Sequence, residues 1–230
     1  MRRPTWPSWV EILLCSGYPT QIAITGALHT AGIEMYAGNG SLSARFVFAL
    51  TLIDTVALLS LIVVLLLRRG ESPARVFFGG RPVAREAGAG ILSVPVVFAV
   101  VLFLSVLMVR YAPSLRTVPI NPLGAFLGTP GDLMMFLVVA IIGGGVREEL
   151  QRAFLLHRFR SDLGQPWMGL VITSLAFGLG HTLQGQDVAV VTGTLGALWG
   201  ALYLLRGSAV APMVSHMLFN GTQVLGGFLR

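Results

Sequence analysis

The sequence predicts an all-α integral membrane protein, a bundle of about seven transmembrane helices with the candidate active-site helices in its C-terminal half. Three observations predict it. Hydrophobic residues make up 54% of the 230 positions and charged ones only 11%, whereas a soluble domain carries about a quarter charged residues. The mean hydropathy is +0.78. The apolar residues also gather into runs close to the roughly 20 residues that a helix needs to cross a bilayer.

Seven runs are expected to span, at 9–33, 46–67, 87–109, 132–156, 167–183, 188–205 and 209–229. The first carries Glu11, Gln21 and His29, and the second carries Asp54. His29 and Asp54 stand apart from other ionisable groups in the sequence, so each reads as one half of a helix–helix hydrogen bond. The fifth and sixth runs are short and are joined by the polar link "QGQD". Before the first run, "MRRPTWPSW" is basic but is followed by no short apolar core with a small-residue cleavage site, so it reads as a tail with Trp6 and Trp9 at the interface. The chain reads as one membrane domain over 1–230, with front-half helices in 1–120 and a motif-bearing core in 131–230. The proline-rich "APSLRTVPINPLGAFLGTPGD" is expected to be the external loop between them.

All sixteen basic residues are arginine, and the formal charge is +6. They lie in short loops between apolar runs, so they read as a topology signal and not as a nucleic-acid footprint. The loop "RRGESPARVFFGGRPVARE" holds five of them and marks the cytoplasmic side. A cytoplasmic N-terminus, an outside C-terminus and a multi-pass place in the cell membrane follow from alternation, with "HRFRSD" and "LLRGS" inside. The expected partner is the lipid bilayer, with no nucleic acid. The single Cys15 excludes an internal disulfide and a cysteine-ligated metal site.

The ionisable groups of the back half fall inside expected spans: Arg147, Glu148, Glu149, Arg152, His181 and His216. Such residues usually face a cavity or pair with one another. Glu148 and Arg152 are four apart and Glu149 and Arg152 three apart, so either carboxylate can meet the arginine. Two carboxylates with one such partner leave a surplus negative charge, the setting of a general base as much as of a structural ion pair. His216 and Asn220 are four apart on one helix face, where they can donate to a developing oxyanion or hold two helices together.

These residues resemble the CAAX prenyl protease and bacteriocin-processing (CPBP, or Abi) family. "FGLGH" matches its FxxxH through Phe177 and His181, and "HMLFN" matches its HxxxN through His216 and Asn220. The first motif, EExxxR in the family, departs in spacing, because Arg152 follows Glu148 by four. In one register Arg152 is the family arginine and Arg147 occupies the first glutamate position. In the other, the glutamate pair is in register and Ala153 replaces the arginine. The resemblance implies an intramembrane endopeptidase that hydrolyses a peptide bond of a membrane protein or lipidated peptide. It implies Glu148 or Glu149 acting with His181 on a water, His216 and Asn220 stabilising the oxyanion, and Arg152 in support. If a divalent metal such as zinc were used, Glu148, Glu149, His181 and His216 would be its ligands, but no HExxH is present and no tightly bound metal is expected. A catalytically decayed scaffold of the same fold and a proton-coupled transporter are the rival readings.

Straight helices would not let this chemistry assemble. At ~1.5 Å rise per residue, Glu148 lies about 24 Å in from the outer end of the fourth span and His181 near the outer end of the fifth, more than ~15 Å apart. A break is therefore expected, at Gly143, Gly144 and Gly145 or at Gly178 and Gly180.

Overall fold

The computed structural model describes residues 5–38, 40–119, 122–123 and 130–228, and its regular structure is helical. Residues 1–4 of the basic tail, 120–121 and 124–129 of the proline-rich loop and the end of the last expected span lie outside the described residues. Three expected spans are single helices long and apolar enough to cross a membrane: α3 (Ala44–Arg68), α5 (Val83–Tyr111) and α9 (Gln186–Arg206). The short α4 (Pro73–Phe78) lies in the arginine-rich loop, and α10 (Val210–Phe228) is a single helix over the described part of the last expected span.

Three other expected spans are not single helices. The run 9–33 is α1 (Trp6–Leu14) followed by α2 (Tyr18–Thr30). Gly17 separates them at φ +92°, a conformation that costs glycine little and other residues much. The run 132–156 comprises α6 (Pro130–Val139), a π-helical stretch over Ala140–Glu148, and α7 (Glu149–Ser161). The run 167–183 is α8 (Pro166–Leu179), only 14 residues long, and then a 3₁₀ turn at Thr182–Gln184. Three of the expected spans are thus interrupted, each beside glycine, at Gly17, within Ala140–Glu148 and at Gly180.

The radial pattern inverts that of a soluble protein. Leu92 on α5 is 79% exposed, and Val56, Phe103 and Leu175 also face outward, while Glu149, Arg152, Glu86 and Arg158 are buried. Two charged networks close one end of the bundle. In the first, Arg158 of α7, 0% exposed, donates to Glu11 Oε2 of α1 at 2.7 Å and to both Glu71 oxygens at 2.9 and 2.7 Å. Arg69 joins Glu11 and Asp162, each at 2.8 Å. In the second, Arg206 holds Glu86 through two bonds at 2.6 and 2.8 Å. The loops holding "RRGESPARVFFGGRPVARE", "HRFRSD" and "LLRGS" thus share one end. At another point of the chain, the Gln186 N–H donates to Thr117 Oγ1 at 3.1 Å, which joins the start of α9 to the proline-rich loop.

Of the two lone-group expectations, the one for His29 is corrected and the one for Asp54 holds. His29 meets Glu34 at 3.0 Å on an exposed surface, five residues along its own chain, and not a second helix. Asp54 of α3 makes the expected helix–helix hydrogen bonds, accepting from Thr20 at 2.6 Å and Gln21 at 3.3 Å of α2, and is also ion-paired with Arg147. Gly17 makes that arrangement possible, because an added Cβ there would meet Arg147 Nη2 at 2.8 Å.

Burial opposes the charge on Asp162, but hydrogen bonds from Ser8 and Ser161 and the Arg158 and Arg69 guanidiniums outweigh it and hold the carboxyl below the ordinary carboxylate range. Its contribution to stability is therefore present above the unfolded-state value of about 3.9 and is lost as pH falls through the lower folded-state value. Thermal unfolding of the wild type and Asp162→Asn in detergent, compared from about pH 6 down to about pH 3, should give a gap that narrows toward acid. A gap that does not change with pH would contradict this account.

Candidate active site

Why the motif residues converge follows from the π-helical stretch. A π-helix closes i→i+5 bonds, so each turn holds more residues than an α turn and side chains beyond it are rotated from their α-helical directions. Glycine at 143, 144 and 145 lets neighbours crowd this stretch. An added Cβ on Gly144 would collide with the Asn220 amide nitrogen and lie 3.5 Å from His216 Nε2. On Gly145 it would collide with Met217. α10 accordingly packs along the π-helical stretch, bringing His216 and Asn220 against it.

The two glutamates separate as a result. Glu149, 1% exposed, is bonded to Arg152 and accepts from His216 Nδ1 at 2.8 Å, both at Oε1. Its Oε2 has no partner among the described residues. Glu148 keeps a partly exposed carboxylate, with Oε2 3.9 Å from His216 Nε2. The i,i+3 pair with Glu149 has formed, and Arg152 is engaged there. Arg147 turns to Asp54 across the interface with α3.

A cavity of about 1030 Å³ gathers Glu148, His181, His216 and Asn220 on one wall system, with Phe177 and Trp199 beside them. The interruption expected from the depth mismatch is present at both candidate places, as the π-helical stretch over Ala140–Glu148 and as the end of α8 at Leu179 beside Gly180. His181 Nδ1 donates to the Phe177 carbonyl at 2.8 Å. A carbonyl only accepts, so the neutral ring keeps Nε2 as its acceptor. Asn220 Nδ2 donates to the Ala140 carbonyl at 3.1 Å, within the π-helical stretch, which leaves its second N–H and its oxygen for other partners.

Aromatic rings fix the charged groups from the remaining sides. His216 stacks on Trp199 at 3.8 Å between centroids and 16° between planes. The Arg152 guanidinium lies 4.6 Å from the Phe177 centroid, within cation–π range. Trp199 is anchored in turn, donating from Nε1 to Ser215 Oγ at 3.1 Å. Sequence reasoning did not find Trp199, nor the Asp54 partner of Arg147. The first is one aromatic in an apolar helix, and the second is 93 residues away in sequence. Only the Ser215–His216 adjacency hinted that residues beside the histidine face a different neighbour.

Among the described residues no three His, Cys, Asp or Glu side chains come together closely enough to hold a metal ion. The four considered for zinc are divided. Glu149 Oε1 and His216 Nδ1 bond to each other, and His181 Nδ1 is held by a carbonyl.

The family model described as Type II CAAX prenyl endopeptidase Rce1-like matches residues 129–222, from the start of α6 into α10. This stretch contains every residue of the three motifs. Over these residues the chain is similar to the CAAX protease (CPBP) family. No characterised protein and no solved structure matches the chain.

Gly144→Ala should displace Asn220 and His216 and destabilise the protein by about 1–3 kcal/mol, the usual effect of overpacking a filled site. Thermal unfolding in detergent measures this. A variant as stable as the wild type would mean that α10 does not pack against the π-helical stretch as described.

Proposed function

We propose that the protein is an intramembrane endopeptidase that hydrolyses a peptide bond of a membrane-associated or lipidated protein with a water activated by Glu148 and His181. The observation that carries this reading is the separation of the two glutamates: Glu149 is buried in an ion cluster, while Glu148 shares a cavity with His181, His216 and Asn220. A buried ion pair alone would not require a second, cavity-facing carboxylate.

In this reading, water is held between the Glu148 carboxylate and His181 Nε2. Glu148 takes a proton as the water oxygen bonds to the scissile carbonyl carbon. The oxyanion accepts from the Asn220 amide and from His216 Nε2. His216 already donates from Nδ1 to Glu149, so it donates from Nε2 when doubly protonated, with Glu149 as counterion. The tetrahedral intermediate collapses, the C–N bond breaks, and the amine leaves with the proton carried by Glu148. Arg152 holds Glu149 and acts through it, so it is a positioning residue. Arg147 is neutralised by Asp54, which favours this assignment over the register that puts arginine in the catalytic place. No step is routed through a metal.

The substrate would be a membrane protein or lipidated peptide, of the CAAX or bacteriocin type. The shared end of the three arginine-bearing loops supports a multi-pass place in the cell membrane with that end and the N-terminus cytoplasmic and the C-terminus outside.

The test uses purified protein in liposomes with a fluorogenic farnesylated CAAX peptide and its unprenylated twin. Wild-type cleavage of the farnesylated peptide is expected. Glu148→Gln should lower kcat by about 10²–10⁴ with an unchanged unfolding temperature. Glu149→Gln should lose both activity and stability, because it weakens the cluster it anchors. Full activity in Glu148→Gln, or no wild-type cleavage of either peptide, would contradict the proposal.

A further inference from the structure

A second cavity, of about 250 Å³, lies between the α1–α2 break and the α7–α8 pair. It shares a wall with the larger one: Glu148, His181, Arg147 and Phe177 line both. The two candidate water-activating side chains are thus reachable from two directions.

The smaller cavity has a mixed lining, with Ile12, Leu155, Ile172 and Phe177 as well as polar side chains. Ser16, Tyr18, Gln21, Gln151 and Thr173 contribute to it. Two buried polar atoms on this wall have no hydrogen-bonding partner among the described residues, Ser16 Oγ and Arg147 Nε. Their neighbours are already engaged. Gln151 Nε2 donates to the Cys15 carbonyl at 2.8 Å, Thr173 to the Gly169 carbonyl at 2.8 Å, and Tyr18 to the Ala176 carbonyl at 2.7 Å. Both atoms are shielded from a water-sized probe, so they back the wall and do not face the cavity. The groups that line it include Glu148 and His181, and the cavity has room for several water molecules.

We propose that the smaller cavity is a hydrated inlet that supplies water to Glu148 and His181 from the side opposite the larger cavity. The inference rests on the hydrolytic reading for its purpose but not for its test. Hydrolysis consumes a water at each turnover, and a substrate seated in the larger cavity covers Glu148 on that side. A separate polar route keeps the nucleophile available while the peptide is bound. The Tyr18–Ala176 bond ties α2 to α8 at the edge of this route.

Thiol accessibility tests the hydration directly. In a Cys15→Ala background, Ser16→Cys is reconstituted in phosphatidylcholine liposomes and treated with 2-aminoethyl methanethiosulfonate, which reacts with the thiolate that only a wet site supports. Leu175→Cys, on the apolar surface, is the dry reference, and Val191→Cys, in the larger cavity, is the wet one. Ser16→Cys should react about tenfold or more faster than Leu175→Cys. Adding Ala176→Trp should block labelling at position 16 and leave it intact at position 191, which also shows that the filled variant is folded. Reaction of Ser16→Cys only with a lipophilic maleimide would mean that the cavity holds acyl chain, and reaction with neither reagent that it is closed. Either result overturns the inlet. Labelling as expected in a protein that cleaves no peptide would instead keep the inlet and reject the peptidase.

Discussion

The site depends on one buried carboxylate. Glu149 sits where water does not reach, and an ionised carboxylate there is tolerable only when paired. Its Oε1 takes the bonds from both Arg152 and His216. Those two groups are in turn clamped by rings, Arg152 over Phe177 and His216 on Trp199. One charge thus ties together α7, α8, α9 and α10, and it does so with orientation as well as energy. His216 can present only its Nε2 edge to the cavity, because Nδ1 is committed to Glu149.

The π-helical stretch decides which glutamate is buried. Glu148 and Glu149 are adjacent, and in any helix adjacent side chains point to different sides. The change from π- to α-helix falls between them. It sends Glu149 into the core, Glu148 to the cavity and Arg147 toward Asp54 of α3. The front half, which lies outside the family match, therefore contributes to the site. Asp54, Thr20 and Gln21 neutralise and seat the arginine that precedes the two glutamates. The break at Gly17 leaves room for its guanidinium.

Much of this was legible in the sequence. Hydropathy located α3, α5 and α9, since a long uninterrupted apolar run has few alternatives to a helix in lipid. The motif spacing brought His216 and Asn220 to one face, and the depth mismatch between Glu148 and His181 required an irregularity that glycine at 143–145 supplied. Hydropathy could not show that 9–33 and 132–156 are broken, because apolar content is blind to backbone conformation at Gly17 and along Ala140–Glu148. Nor could it pair Asp54 with Arg147, a contact made by tertiary packing over a long sequence separation. The partner of His29 was missed for a different reason: at the end of α2 it meets the nearby Glu34 on the surface, and not a second helix.

Two adjacent glutamates occupy opposite environments, Glu149 sealed in an ion cluster and Glu148 facing a cavity. Carboxyl labelling measures this without a substrate. The folded protein in liposomes is treated with a water-soluble carbodiimide and glycine ethyl ester, and modification of each glutamate is read by mass spectrometry. Labelling of Glu148 with Glu149 protected is the predicted result. Labelling of Glu149 with Glu148 protected, or equal labelling of both, would contradict the account.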